Sequence, residues 1–156
     1  MKKLLYLIPL TALFACNSAE TEKTEINVSE ETPVNTDTTA ILLGQEVMFE
    51  NLVEGQEISS PFTVKMGVAG MTVEPANNGI NANKGHHHLL IDTVSFISAS
   101  TLIPMIDNRI IHFGGGQTEY ELVLSPGKHK IAMQFANGMH SSYGQRMAKA
   151  VTVTVK

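Results

Sequence analysis

Phe62-Thr63-Val64-Lys65-Met66-Gly67-Val68 decides the fold class. Phe62, Val64, Met66 and Val68 fall on one side of the segment, and Thr63, Lys65 and Gly67 on the other. Period two belongs to a strand with one face buried, because successive side chains of extended chain point to opposite faces. The same alternation returns in Tyr120, Leu122 and Leu124, in Ile131, Met133 and Phe135, and in Val151, Val153 and Val155 set between Thr152, Thr154 and Lys156. Turn residues separate these runs: Glu54-Gly55, Ser60-Pro61, Asn77-Asn78-Gly79, Ser125-Pro126-Gly127 and Asn137-Gly138. About seven strands are expected, near 46–50, 57–68, 86–93, 109–113, 118–124, 129–136 and 148–155. Residues 69–85 read as a long Asn/Gly-rich loop, and 98–107 as an irregular stretch with room for a helical turn. Short strands at this spacing predict an all-β domain over residues 41–156, an antiparallel immunoglobulin-like β-sandwich, with a small barrel as the alternative. No cysteine pair or tryptophan is present to make it an antibody-like domain.

Outward from this domain the composition changes. Residues 17–40 are rich in Thr, Glu, Ser and Asn and nearly devoid of large apolar side chains, too few to offset the entropy of ordering. Residues 16–40 are therefore expected to be a disordered tether. Before it, Lys2-Lys3 precedes an apolar run, Leu4 to Phe14, that is too short to span a bilayer and suits an export leader over residues 1–15. The leader closes on Leu13-Phe14-Ala15-Cys16, which resembles a lipobox, with Cys16 as the lipidated residue. As Cys16 is the only cysteine, no internal disulfide can form. Acyl chains on Cys16 would hold the protein to a membrane. Asn17 rather than Asp follows, so outer-membrane sorting is expected, the domain facing periplasm or exterior.

The 156-residue chain carries 11 basic and 15 acidic residues, and Lys2 and Lys3 fall in the leader. A net-acidic mature chain argues against nucleic acid as a partner, because binding there needs phosphate neutralisation. The expected partners are the membrane, through the lipid, and an envelope protein whose identity the residues leave open.

All six histidines lie in the β domain: His86, His87, His88, His112, His129 and His140. In Gly85-His86-His87-His88-Leu89-Leu90-Ile91-Asp92, strand parity puts His87 with Leu89 and Ile91 on the core face. His86 and His88 then share the opposite face, about 7 Å apart. Two imidazoles on one strand face can ligate one metal ion, zinc or copper. His112 and His140, each beside a glycine-containing turn, are the candidates to complete the site. His87, His129 and Met139 are further candidates. His87 is expected to be buried with a hydrogen-bond partner, and His129, in register with Ile131, Met133 and Phe135, to have a buried, hydrogen-bonded role. Met139 would bring a thioether suited to Cu(I). The competing reading leaves the histidines as structural hydrogen-bonding groups. No G-x-S-x-G, P-loop or H-E-x-x-H occurs, so no enzyme is expected; a hydrolase with His-bound zinc is the remaining catalytic reading. Gly114-Gly115-Gly116 reads as a tight turn, or as an anion cradle of backbone N–H groups.

The run from Gly85 to Asp92, with His112-Phe113-Gly114-Gly115-Gly116-Gln117-Thr118-Glu119, Leu124-Ser125-Pro126-Gly127-Lys128-His129, and upstream Ser60 to Val68 with Gly70-Met71, resembles the bacterial domain-of-unknown-function family 4399. The resemblance spans about residues 47–156. It implies a small β domain in exported bacterial proteins and supplies no activity. His-containing loops near the C-terminal end belong to the family pattern, and Met139-His140 is the match here. The connection from Asp92 to His112 is longer and less regular than that pattern.

Overall fold

The computed structural model describes residues 44–105 and 108–156. The expected leader, the lipidation site at Cys16 and the tether over 16–40 lie outside the described residues. Nine strands form: β1 (Glu46–Phe49), β2 (Glu57–Ile58), β3 (Phe62–Ala69), β4 (Thr72–Val73), β5 (Lys84–Ile91), β6 (Ile110–His112), β7 (Glu119–Leu122), β8 (Gly127–Ala136) and β9 (Ala148–Val155). A 3-10 turn, Gln145–Met147, precedes β9. No helix among the described residues is long and apolar enough to cross a membrane.

The expected alternation is realised. Val64 and Met66 from β3, Leu122 from β7 and Val47 from β1 are buried against Ile131, Met133, Phe135, Val151, Val153 and Val155. These side chains join two sheets of a sandwich, one in the order β1-β3-β7 and one in the order β2-β9-β8-β5-β4, with β6 also on β5. Three expectations need correction. The run 57–68 is two strands, because Ser59-Ser60-Pro61 turns the chain and proline lacks a ladder donor. The loop 69–85 contains β4 and the start of β5. The sandwich is also not wholly antiparallel: β2 runs parallel to β9, and β4 parallel to β5.

β5 is the strand that positions the site. One edge pairs with β8 from His86↔Ala136 to Ile91↔Ile131. The other edge is shared. β4 takes Lys84 and Gly85, and β6 takes His88 to Leu90, so the three histidines sit where one neighbour hands over to the next. Both faces of β5 are covered: every residue from Gly85 to Ile91 is buried. The second face exists because residues 94–105, read from sequence as an irregular connection, lie over the outside of the larger sheet. There Leu90, Ala132 and Ala136 make a smaller core with Ile97 and Ile103.

Gln134 fastens that cover. Its Oε1 accepts from the Ile97 N–H at 2.9 Å, and its Nε2 lies 3.1 Å from Gly144 O and 3.0 Å from Met147 O. The side chain is fully buried, so removing it orphans groups that water cannot reach. Gln134→Leu should destabilise the domain by about 2–5 kcal/mol, since each stranded group costs about 1–3 kcal/mol. Urea unfolding would check this; a change under about 0.5 kcal/mol, the range of ordinary surface substitutions, would deny the cover any structural weight.

Candidate metal centre

The outer face of β5 and its neighbours bring four histidines together. His86 and His88 leave β5 on the same side, as parity requires. His112 stands directly across from His88 in the β5–β6 pairing. His140 reaches the same place from the turn after β8. Asn137 builds that turn: its Oδ1 accepts from the N–H groups of Met139 and Ser141, and its carbonyl accepts from the His140 N–H. His140 is held with φ at 65°, a left-handed conformation uncommon for a residue with a Cβ and one that tends to mark functional positions. Its carbonyl accepts from the Ile103 N–H at 2.9 Å, which ties the turn to the cover segment.

The rings are close. Centroids lie 4.7 Å apart for His86–His88, 5.0 Å for His86–His112 and for His86–His140, 4.8 Å for His112–His140, and 5.1 Å for the stacked His88–His112 pair. Nε2 of His140 is 3.1 Å from Nε2 of His112. One nitrogen each from His86, His112 and His140 falls within 4.8 Å of the other two, close enough to hold a metal ion together. His88 packs beside this trio, with its centroid 6.1 Å from that of His140. The ring of His112 lies over Gly114, where a Cβ would overlap its Nε2 and Cε1. Gly114 therefore matters to the site through the room it leaves.

His86 and His88 are fully buried, whereas His112 and His140 are partly open to solvent. The buried pair thus forms the floor and the other two the rim. Parity assigned His86 and His88 to the correct side of the strand, but that side is a second interior and not a solvated surface. Replacing either therefore carries a packing cost to the fold. The composition of β8 carried the signal: after Lys128 and Lys130, the same face continues as Ala132, Gln134 and Ala136, small or amide side chains where an exposed face would keep charges.

None of the ring nitrogens of His86, His87 or His88 has a hydrogen-bond partner among the described residues. Buried polar atoms are otherwise almost always paired. Burial, reinforced by the neighbouring imidazoles, pushes His86 down to about 4 and His88 to about 2. Burial also lowers His112, with His140 contributing. His86, His88 and His112 at neutral pH are therefore uncharged, the form that presents a lone pair.

The remaining candidates stand elsewhere. His87 faces the main core, its ring edge-on to Phe135 at 4.9 Å, and burial lowers it to about 4. His87 is buried as expected, but the hydrogen-bond partner expected for it is absent among the described residues, and that expectation is corrected. His87→Leu should leave stability unchanged or raise it by up to about 1 kcal/mol, because an unpaired buried polar group gives way to an apolar one. Thermal unfolding at pH 8 measures this, and a fall of several degrees would show that His87 has a partner to lose. His129 lies at the other end of β8. Its Nδ1–H donates to Asp92 Oδ2 at 2.7 Å and its Nε2–H to Ser125 O at 2.9 Å, so both nitrogens carry protons and none is left for a metal. The bond to Asp92 raises its pKa. Met139 is half exposed in the turn before His140. The glycine run is a turn rather than an anion cradle: Gly116 N–H donates to Phe113 O, and Gly115 N–H to Gln117 Oε1.

Comparison with known proteins adds a family and a distant structural likeness. Residues 64–156 match the family model described as "Domain of unknown function (DUF4399)". No curated protein matches the chain. The solved endo-beta-1,4-mannanase from Thermotoga petrophila is similar over 76% of this chain and 21% of its own, at 13% identity and a TM-score of 0.42. This chain thus spans about a fifth of that enzyme.

Proposed function

We propose that this chain, which belongs to the DUF4399 family, is a lipid-anchored binding module of the bacterial cell envelope that holds a transition metal ion, zinc or copper. His86, His112 and His140 are the ligands, with His88 beside them at the buried end. The observation that carries the reading is the set of unpaired ring nitrogens on the buried floor, facing two more imidazoles at the rim. A metal ion would take one of the unpaired nitrogens of His86 together with one nitrogen each from His112 and His140. The Nε2–Nε2 separation of 3.1 Å already approaches the edge of about 3.3 Å that a tetrahedral ion with Zn–N near 2.0–2.1 Å requires.

We read the module as one that binds rather than catalyses; the converging group is three imidazoles with no carboxylate among them. The alternative, a structural or protein-interaction domain without metal, draws on the same short contact, since an N–H···N hydrogen bond between His112 and His140 also explains it. Elemental analysis of the full chain, purified without an affinity tag and titrated calorimetrically with zinc and with copper, separates the two. One ion per chain is expected; no binding of either ion would return the histidines to a structural role.

The anchoring half of the proposal is supported by Lys2-Lys3, the apolar run and Leu13-Phe14-Ala15-Cys16. Its partners are the outer membrane, reached through the lipid, and an envelope protein, with no nucleic acid. Cys16→Ser should abolish fatty-acid labelling of the protein and release it from the membrane fraction. Labelling that persists in the variant would remove the lipid from the account.

A further inference from the structure

We infer that the ion this site takes is monovalent copper, Cu(I), in preference to any divalent ion. The inference rests on the metal-binding reading above and concerns charge. The groups that converge on the site among the described residues are imidazoles, ligands that bring no negative charge of their own. Among the described residues no carboxylate or thiolate joins His86, His112 and His140 in the converging group. A bound ion therefore keeps its whole charge, with nothing anionic in contact to balance it.

His86 and His88 are fully buried, and the same face of the sheet carries Leu90, Ala132 and Ala136, packed with Ile97 and Ile103, and the buried amide of Gln134, surroundings with no charged side chain. The cost of moving an ion from water into such surroundings rises with the square of its charge, so it is roughly four times greater for a divalent than for a monovalent ion. Zinc sites commonly reduce this cost with thiolate or carboxylate ligands. Among the described residues neither joins this group. Imidazole suits copper as well as zinc, and copper stands ahead of zinc in divalent affinity, so ligand type admits copper and the absence of counter-charge selects its lower oxidation state. Three nitrogens within 4.8 Å of one another also match the low coordination number that Cu(I) accepts. Met139, half exposed in the turn that presents His140, adds a soft thioether to the same turn.

The test compares oxidation states on the full-length protein in detergent, without an affinity tag. Cu(I) affinity is measured anaerobically against a chromophoric Cu(I) chelator, and Cu(II) and Zn(II) affinities against chelators of their own. Cu(I) should be held at least about 1000-fold more tightly than Cu(II), and the potential of the bound copper should lie positive of the aqueous couple. His112→Asp, which places a negative charge on the half-open rim, should narrow the Cu(I)-to-Cu(II) ratio at least about tenfold. Equal or tighter binding of a divalent ion to the wild type overturns this inference and leaves the metal site standing. An unchanged ratio in His112→Asp overturns the charge argument, and if that variant fails to fold the wild-type ratio still decides. Failure to bind any of the three ions overturns both the inference and the reading beneath it.

Discussion

Brought from pH 7 to pH 4.5 without metal, the protein should lose most of its stability and unfold cooperatively. His86 and His87 are lowered to about 4 and His88 to about 2, chiefly by burial, against 6.5 for an unfolded chain. Below pH 6.5 the unfolded chain therefore takes up protons that the folded one refuses. Stability is highest above that value and falls with pH through the window from 6.5 towards 4. Each such histidine contributes a slope of about 1.4 kcal/mol per pH unit. Three together approach about 4 kcal/mol per unit, against a typical total of about 5–15 kcal/mol. His129 works in the opposite sense. Its raised pKa favours the fold below the unfolded value and loses that contribution as pH rises through the folded one, but it is a single histidine paired with a half-exposed Asp92. Urea unfolding at a series of pH values measures the slope. Equal stability at pH 7 and pH 5 would mean that the three histidines are not held neutral, and the burial argument would fail with them.

If the proposed site takes an ion, saturation with it should raise the melting temperature by about 15–30 °C, and replacing the rim pair should remove that rise entirely. A ligand at a thousand times its dissociation constant adds about 4 kcal/mol to the folded state, and each kcal/mol moves a domain of this size by about 4–8 °C. His112 and His140 are the residues to change, because they supply two of the three converging nitrogens and stand partly open to solvent. His112→Ala with His140→Asn fits the backbone, since Asn tolerates the left-handed conformation found at position 140. The metal-free variant should melt within a few degrees of the metal-free wild type, and no ion should shift it. Removing His86 and His88 instead would leave a cavity beneath the cover segment and confound lost ligation with lost packing. A rim variant that still gains stability from metal would place the ligands elsewhere.

The sandwich was legible because four runs of alternation fall on β3, β7, β8 and β9 and turn Val64, Met66, Leu122, Ile131, Met133, Phe135, Val151, Val153 and Val155 onto a common core. Recognition of the family on the Gly85–Asp92 run and the downstream glycine and proline turns agrees with the match over residues 64–156. The site was legible in part. Period two fixes which histidines share a face, so His86 and His88 were separable from His87. The fate of that face was less accessible, because Val94, Phe96, Ile97, Leu102 and Ile103 follow no period and yield one pair of inward residues and three exposed ones. What converts a strand surface into an enclosed floor is a set of long-range bonds: Gln134 to Ile97, Ser142 to Ile97, and His140 to Ile103. Such contacts leave no local pattern. β4 was missed for a similar reason, as two residues are too few to display a period, and its parallel pairing depends on where the loop returns.

The division of the histidines into floor and rim also sets an order in time. An ion arriving from solvent meets His112 and His140 first, because they alone of the four are partly exposed, and reaches His86 only after passing between them. Capture should therefore be stepwise, a fast encounter at the surface followed by slower transfer inward. At the proposed metal site, the turn at Asn137–Ser141 that carries the rim ligand His140 is pinned to residues 101–103 by backbone bonds from Ile103 N–H to His140 O and from Ser142 N–H to Thr101 O. The residence time of the ion is thus tied to local opening of the cover, and weakening the cover should speed release while leaving the ligands themselves unchanged.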